Sequence, residues 1–230
     1  MVDRYLRGVK ERGLEPLVRR LEPVPPLAIT LLSFLFGLVS VAVTALGGLA
    51  AGLTLWVLSW VLDGIDGHLA RHKQQQTDLG GYLDILSDLA VYALIPVALW
   101  AAFADTTSAL SLALLLASFY LNIGSWMYLA ALLEKRRRGA ASETTSVTMP
   151  GGIVEGTETF VFFCLFFLLP QQLTWLFGLM ALLVFVSALQ RVVWAVRNLS
   201  DDTPSTETST TTRADTVSND ITVDTVDDAT

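Results

Sequence analysis

The sequence predicts an all-α, polytopic membrane protein with six transmembrane helices and an N-terminal amphipathic interfacial helix. More than half of its 230 residues are hydrophobic. They collect in repeated apolar runs near the length of about 20 residues that spans a bilayer. The runs cover residues 24–45, 49–70, 79–103, 108–133, 153–170 and 172–197. Because they leave little chain for a soluble domain, residues 23–198 are expected to form one integral membrane domain.

Each element follows from local signals along the chain. Residues 1–22 place apolar side chains at helical spacing among Arg and Lys, which predicts an amphipathic segment lying on anionic lipid. Pro23, Pro25 and Pro26 stop that segment and open the first span. The short polar connection 71–78 makes the second and third spans antiparallel neighbours, and Pro96 predicts a kink in the third. The fifth run is the shortest and lies near the lower limit for a span.

The distribution of basic residues predicts the orientation of the spans. With a cytoplasmic N-terminus, all fifteen Lys and Arg residues fall on the cytoplasmic side, and the connections near Gly47, Asp105 and Gln171 carry none. This is the positive-inside pattern of multi-pass proteins. We therefore expect a protein of the cell membrane with both termini in the cytoplasm. Membrane lipids are expected among its partners, and nucleic acid is not.

The final segment, residues 199–230, differs in composition from the rest of the chain. It is rich in Thr and Ser, and it holds eight acids and one Arg, which accounts for the net charge of −7. Such a segment has too few large apolar residues to bury a core. It is expected to be a disordered acidic tail.

One pattern between Asp63 and Asp88 carries most of the functional information. It reads D-G-I-D-G-H-L-A-R, then eight residues, then G-G-Y-L-D-I-L-S-D. On helices, Asp63 and Asp66 lie about 60° apart at the end of the second span, and the last two acids lie about 40° apart at the start of the third. Since these spans are antiparallel neighbours, both pairs of acids are expected to converge near the cytoplasmic interface.

The residue types in this pattern indicate bound cations and a phosphate-bearing ligand. Four carboxylates this close together repel one another unless cations neutralise them, and oxygen ligands select Mg²⁺, Mn²⁺ or Ca²⁺ rather than zinc. Arg71 can reach a phosphate oxygen. Small residues leave room beside the acids for a bulky ligand; they are Gly67, Ala70, Gly80 and Gly81. The pattern therefore indicates a diphosphate site for phosphoryl-type transfer.

This pattern resembles the signature of the CDP-alcohol phosphatidyltransferases, with the same spacing. All eight diagnostic positions are present: Asp63, Asp66, Gly67, Ala70, Arg71, Gly80, Asp84 and Asp88. The placement of the motif across the second and third of six spans also looks like that family. The resemblance implies an enzyme that transfers a phosphatidyl-type group from a CDP-linked lipid to the hydroxyl of a small polar alcohol and releases CMP.

The resemblance also implies a role for each matching residue. Asp63, Asp66 and Asp84 would hold two divalent cations, Mg²⁺ or Mn²⁺, that bridge the diphosphate of the CDP-lipid. Asp88 would complete the metal site and act as general base toward the acceptor hydroxyl. The residues implied to border the CDP-lipid are Gly67, Ala70, Arg71 and Gly80. The family often forms homodimers, and a homodimer is expected here.

Polar residues outside the motif have two interpretations each. Glu155 and Glu158 either stabilise the N-terminus of the fifth span through the helix dipole or contact the acceptor or a cation. Asn122 either lines the acceptor cavity or bonds helices together. Arg136, in the basic run 135–138, either sets topology or belongs to a phosphate pocket for the acceptor. The acceptor stays open among inositol phosphate, glycerol phosphate, serine, inositol and other small alcohols, and the donor lipid between diacylglycerol and an archaeal ether core.

Two other classes of function compete with the enzyme. A divalent-cation transporter also carries acids inside the membrane, although cations alone do not require the Gly, Ala and Arg positions. An inactive family member could persist as an assembly partner, although all eight signature positions are intact. Release of CMP without cation flux would distinguish the enzyme from both.

Overall fold

A computed structural model describes residue 21 and residues 23–103, 108–139 and 152–199, and within these the regular structure is entirely helical. The helices are α1 (Pro26–Ala45), α2 (Leu49–His72), α3 (Asp78–Phe103), α4 (Ala109–Gly139), α5 (Gly156–Leu168) and α6 (Leu173–Leu199), with a 3₁₀ helix at Pro170–Gln172. Each predicted span overlaps one helix, although α4 continues past residue 133 and α5 covers only part of the run 153–170. The predicted amphipathic segment and acidic tail lie, apart from their edges, outside the described residues.

Five of these helices are long and apolar enough to cross a membrane, and α5 is shorter. Its 13 residues cover about 20 Å, less than the ~30 Å hydrocarbon core. The start of the predicted fifth run is not helical. There the backbone N–H of Val154 donates a hydrogen bond to Ser187 Oγ of α6 at 3.0 Å. The chain is a multi-pass helical membrane protein, as the sequence predicts.

Short turns set the antiparallel order of α1, α2 and α3. Pro26 occupies the first turn of α1, where a missing backbone N–H costs little. Gly47 takes a left-handed φ of 91° between α1 and α2, which glycine adopts without strain. At the start of α3, Thr77 caps the helix, because its Oγ1 accepts a hydrogen bond from the backbone N–H of Gly80 at 3.0 Å.

Serine hydroxyls join α1 to α2 inside the apolar bundle. Ser33 Oγ donates to the carbonyl of Ser59 at 2.8 Å, and Ser59 Oγ donates to the carbonyl of Ser33 at 2.9 Å. Ser40 Oγ donates to the carbonyl of Gly52 at 2.7 Å. Such interhelical hydrogen bonds hold helices together where lipid gives no hydrophobic drive between them.

An aromatic core lies deeper in the bundle, among α2, α3, α5 and α6. Trp56, Phe163, Phe166 and Phe177 are fully buried. The rings of Trp56 and Phe163 stack with centroids 5.3 Å apart, and Phe166 meets Phe177 edge-on at 4.9 Å. Trp56 precedes Asp63 by two turns, so the core begins about 10 Å along α2 from the acids.

Candidate active site

The α2–α3 hairpin brings the two acid pairs to one place. Carboxylate oxygens of Asp63, Asp66 and Asp84 all lie within 4.8 Å of one another. Asp88, one turn deeper on α3, interacts electrostatically with Asp63, Asp66 and Asp84. The acids therefore converge as their spacing predicts. We call these four residues the acidic cluster.

The acidic cluster fits a divalent cation. Asp66 is only 5% exposed, and Asp66 Oδ2 and Asp84 Oδ1 are buried with no hydrogen-bond partner among the described residues. A buried carboxylate oxygen without a partner is costly unless a proton or a cation satisfies it. Hard oxygen ligands are the ones that Mg²⁺ and Mn²⁺ prefer. The residues present are therefore suited to hold such ions.

Neighbouring groups orient Asp66 within the cluster. Its carboxylate lies close to the Thr30 hydroxyl of α1 and to the backbone of Gly67, and it interacts electrostatically with Arg71. Thr30 is itself buried and lies 3.3 Å from the carbonyl oxygen of Pro26. Support of this kind around a ligating carboxylate fixes its direction toward a metal.

A cavity of about 720 Å³ opens beside the acidic cluster between α1, α2 and the start of α3. Asp66 and Asp84 form part of its wall. The wall also includes all four residues that the motif assigns to the CDP-lipid: Gly67, Ala70, Arg71 and Gly80. Thr30 and the Pro25–Pro26 pair close the side formed by α1. The cavity is large enough for a nucleotide-sized ligand.

A second polar group joins α4, α6 and the segment before α5. Arg191 of α6 is only 7% exposed. Its Nη1 donates to the side-chain oxygen of Asn122 and, at 3.3 Å, to the Asn122 carbonyl. Glu155 interacts electrostatically with the same guanidinium. Asn122 and Glu155, which the sequence marks for the acceptor, thus meet around a buried cation.

The other two acceptor candidates lie differently. The Glu158 side chain accepts the backbone N–H of Glu155 at 3.1 Å, and the two acids form a capping box at the start of α5. Arg136 Nη2 donates to the carbonyl of Leu199 at 3.0 Å. Arg136 stands 14 residues beyond Asn122 on the continuous helix α4, or about 21 Å along it. Arg136 and Asn122 are therefore too far apart to contact one small alcohol together.

Sequence reasoning did not single out Thr30 or Arg191. Thr30 lies in an apolar run, and its relation to Asp66 appears only when α1 packs on α2. The distribution of basic residues uses Arg191 only to predict topology, although a cation within the apolar run 172–197 also indicates a buried partner. That partner, Asn122, is 69 positions away.

Two known proteins are similar to this chain in sequence. The inner membrane protein YnjF of Escherichia coli (strain K12) is 35% identical over 197 residues, which cover 84% of this chain and 94% of YnjF. A bifunctional IPC transferase and DIPP synthase of Thermococcus kodakarensis is 39% identical over 109 residues. That match covers 43% of this chain and 24% of the relative, so it concerns one part of a longer protein.

The fold is shared with phosphatidylinositol phosphate synthase (PgsA1) of Mycobacterium tuberculosis. The crystal structure with CDP-DAG bound has a TM-score of 0.62 at 21% identity, over 80% of this chain and 94% of that chain. The structure with manganese and citrate has a TM-score of 0.60 at 21% identity, over 78% and 88%. The sequence model of the CDP-alcohol phosphatidyltransferases matches residues 24–194, which contain the whole acidic cluster. The chain belongs to the CDP-alcohol phosphatidyltransferase family.

Proposed function

We propose that this enzyme transfers a phosphatidyl-type group from a CDP-linked lipid to a hydroxyl of a small polar alcohol, with release of CMP, in phospholipid biosynthesis. Family membership supports the reaction class. The observation that carries the proposal is the acidic cluster opening onto a cavity lined by Gly67, Ala70, Arg71 and Gly80. The bound CDP-DAG and the manganese of the PgsA1 structures support a CDP-lipid and a divalent cation as ligands.

Each residue of the site has a proposed role. Asp63, Asp66 and Asp84, with Asp88, would hold two Mg²⁺ or Mn²⁺ ions. Such ions, when bound, offset the negative charge of the diphosphate and of the group in transfer. Gly67, Ala70 and Gly80 leave space for the cytidine and phosphates, and the Arg71 guanidinium lies at the cavity wall to pair with a phosphate oxygen.

Asp88 is proposed to act as the general base. Its carboxylate takes the proton of the acceptor hydroxyl, and the acceptor oxygen forms a bond to the phosphorus that carries the lipid. The bond from that phosphorus to the oxygen of CMP breaks, and CMP leaves with the bonding electrons. The proton on Asp88 is then returned to solvent or to the departing phosphate.

We place the acceptor near Asn122 and Glu155. The charges there are mixed, since the buried Arg191 guanidinium faces the Glu155 carboxylate. A small alcohol with several hydroxyls could exchange hydrogen bonds with all three groups. CMP release with matched acceptors that carry or lack a phosphate, such as inositol phosphate and inositol, tests which group determines the choice of acceptor. Preference for the phosphate would point to Arg191, and preference against it to Glu155.

CMP release from a CDP-lipid tests the proposed function. Purified protein with Mg²⁺ or Mn²⁺ and one suitable acceptor is expected to release CMP, and Asp88→Asn is expected to lower the rate about 10²–10⁴-fold, as for loss of a general base. Asp78→Asn is the matched control, because Asp78 is an exposed acid at the start of the same helix. No release with any acceptor, or equal loss in both variants, would contradict the proposal.

Cation transport is the competing function, and the packing below the site argues against it. Trp56, Phe163 and Phe166 fill the bundle interior and are fully buried. An ion leaving the acidic cluster toward the other side of the membrane would meet these rings. Protein in sealed vesicles should therefore show no Mn²⁺ flux under conditions in which it releases CMP.

We further propose that the enzyme lies in the cell membrane with its active site on the cytoplasmic side, and that it is a homodimer. The cytoplasmic placement rests on the distribution of its fifteen basic residues. The homodimer rests on what is usual in the family. Light scattering of the detergent-solubilised protein, corrected for detergent, should give twice the chain mass of 25.0 kDa; a single chain mass would contradict the dimer.

A further inference from the structure

A layer of aromatic rings closes the deep side of the acidic cluster. It consists of Trp56 and Trp60 from α2, Tyr92 from α3, and Phe160 and Phe163 from α5, and we call it the aromatic floor. Ring centroids are 4.3 Å apart for Trp60 and Phe160, and 5.3 Å apart for Trp56 and each Phe. Trp56 and Phe163 also belong to the buried core of the bundle, so the floor is the part of that core nearest the acidic cluster.

Tyr92 contributes the phenolic hydroxyl of this floor. It follows Asp88 by four residues, so the two side chains share one face of α3 about 6 Å apart along the axis. The side chain interacts electrostatically with three acids, first with Asp88, then with Asp63 and Asp84. The hydroxyl therefore belongs to the surroundings of the acidic cluster, although it is not part of the family signature.

The ring of Tyr92 is held in place by packing. It meets the ring of Phe163 edge-on, with centroids 5.4 Å apart and an interplanar angle of 70°. It also packs against the buried core of the bundle. Because the ring is fixed, the position of its hydroxyl oxygen is fixed as well, and a donor held in place can orient a neighbouring carboxylate at little entropic cost.

We propose that Tyr92 is a positioning residue for Asp88: its hydroxyl donates a hydrogen bond, directly or through one water, to the Asp88 carboxylate and holds it toward the acceptor hydroxyl. A carboxylate at a metal site depends on such outer partners for its direction. The inference rests on the proposed function, because it requires Asp88 to act on the acceptor.

Tyr92→Phe tests the inference because it removes only the hydroxyl. We expect kcat for CMP release to fall about tenfold, as for loss of one hydrogen bond to a charged group, with KM for the CDP-lipid and the acceptor unchanged. Tyr120→Phe, on the surface of α4 where Tyr120 is 79% exposed, is the control and should match wild type. A Tyr92→Phe variant with wild-type kcat, or with altered KM alone, would overturn the inference.

Two further variants separate the hydroxyl from packing and from independent effects. Tyr92→Leu also removes the ring; a similar fall of kcat in the Phe and Leu variants assigns the effect to the hydroxyl, whereas a fall in Leu alone overturns the inference. In an Asp88→Glu background, which displaces the carboxylate, Tyr92→Phe should cost less than about twofold. A full tenfold loss there would show that Tyr92 does not act through Asp88.

An inactive wild type would contradict the proposed function and this inference with it. An active wild type with an equally active Tyr92→Phe variant would contradict this inference alone.

Discussion

Gly67 keeps the wall of the donor cavity bare beside Asp66. A Cβ at Gly67 would meet only the Arg71 guanidinium, at 3.4 Å, so a larger side chain would extend into the cavity and leave the fold intact. We expect Gly67→Val to raise KM for the CDP-lipid at least about tenfold, or ~1.4 kcal/mol of binding free energy. The melting temperature should change little.

Gly124→Val is the matched control for this prediction. Gly124 also lies within a helix, α4, and a Cβ there would meet nothing within 4 Å. Both substitutions change the helix propensity by the same amount, so a difference between the two variants reports on the cavity. Equal KM values in the two variants would exclude Gly67 from the donor site.

The residues of the acidic cluster could be predicted from the sequence because their relation is local. Asp63 and Asp66 share a helix face by spacing alone, and a short connection carries the chain to Asp84. Arg191 could not be assigned in this way, because its partner Asn122 lies on another helix, α4. The spacing of Tyr92 from Asp88 is local, but its contact with Phe163 depends on how α3 and α5 pack. Hydrophobic periodicity does not encode which face of one apolar helix meets another.

Among the elements, α1 and α2 are joined most directly by hydrogen bonds. Ser33 and Ser59 each donate to the other's carbonyl, so each hydroxyl crosses the interface. We expect Ser33→Ala and Ser59→Ala each to lower the free energy of unfolding in mixed micelles by about 0.6–1.7 kcal/mol. The double variant should lose less than the sum, because both changes act on one pair.

Ser118→Ala is the control for these two serine variants. Ser118 is buried, but its hydroxyl donates to the carbonyl of Leu115 within α4 at 2.7 Å and makes no hydrogen bond to another helix among the described residues. Its loss should therefore change the free energy of unfolding by less than either interface variant does. A larger effect at Ser118 would show that serine burial, and not the interhelical hydrogen bond, determines stability here.

The apolar pattern does not determine the residue at which helix α5 begins. The run 153–170 predicts a span, yet the helix begins only at Gly156, because Glu155 and Glu158 form its capping box. The residues before it instead pack on α6 through Val154 and Gly152. An apolar run fixes where chain is buried in the membrane, but the start of a helix depends on its cap.

The catalytic groups and the basic residues of the α2–α3 connection lie at the same end of these two helices. The acidic cluster, the donor cavity and Arg71 lie at the ends of α2 and α3 that carry the basic residues of their connection. If those ends face the cytoplasm, a water-soluble acceptor and the CMP product exchange directly with that compartment. The lipid part of the donor can remain among the apolar helices.

Cysteine labelling tests this orientation. In a Cys164→Ala background, which removes the one cysteine of the chain, Leu46→Cys places a thiol in the α1–α2 turn, where Leu46 is 88% exposed. Gln75→Cys places one in the α2–α3 connection, beside the donor cavity. A membrane-impermeant maleimide added to intact cells should label the first variant and reach the second only after permeabilisation. The reverse pattern would put the active site outside the cell, against the positive-inside distribution of its basic residues, and the acceptor would then have to be sought among extracellular alcohols.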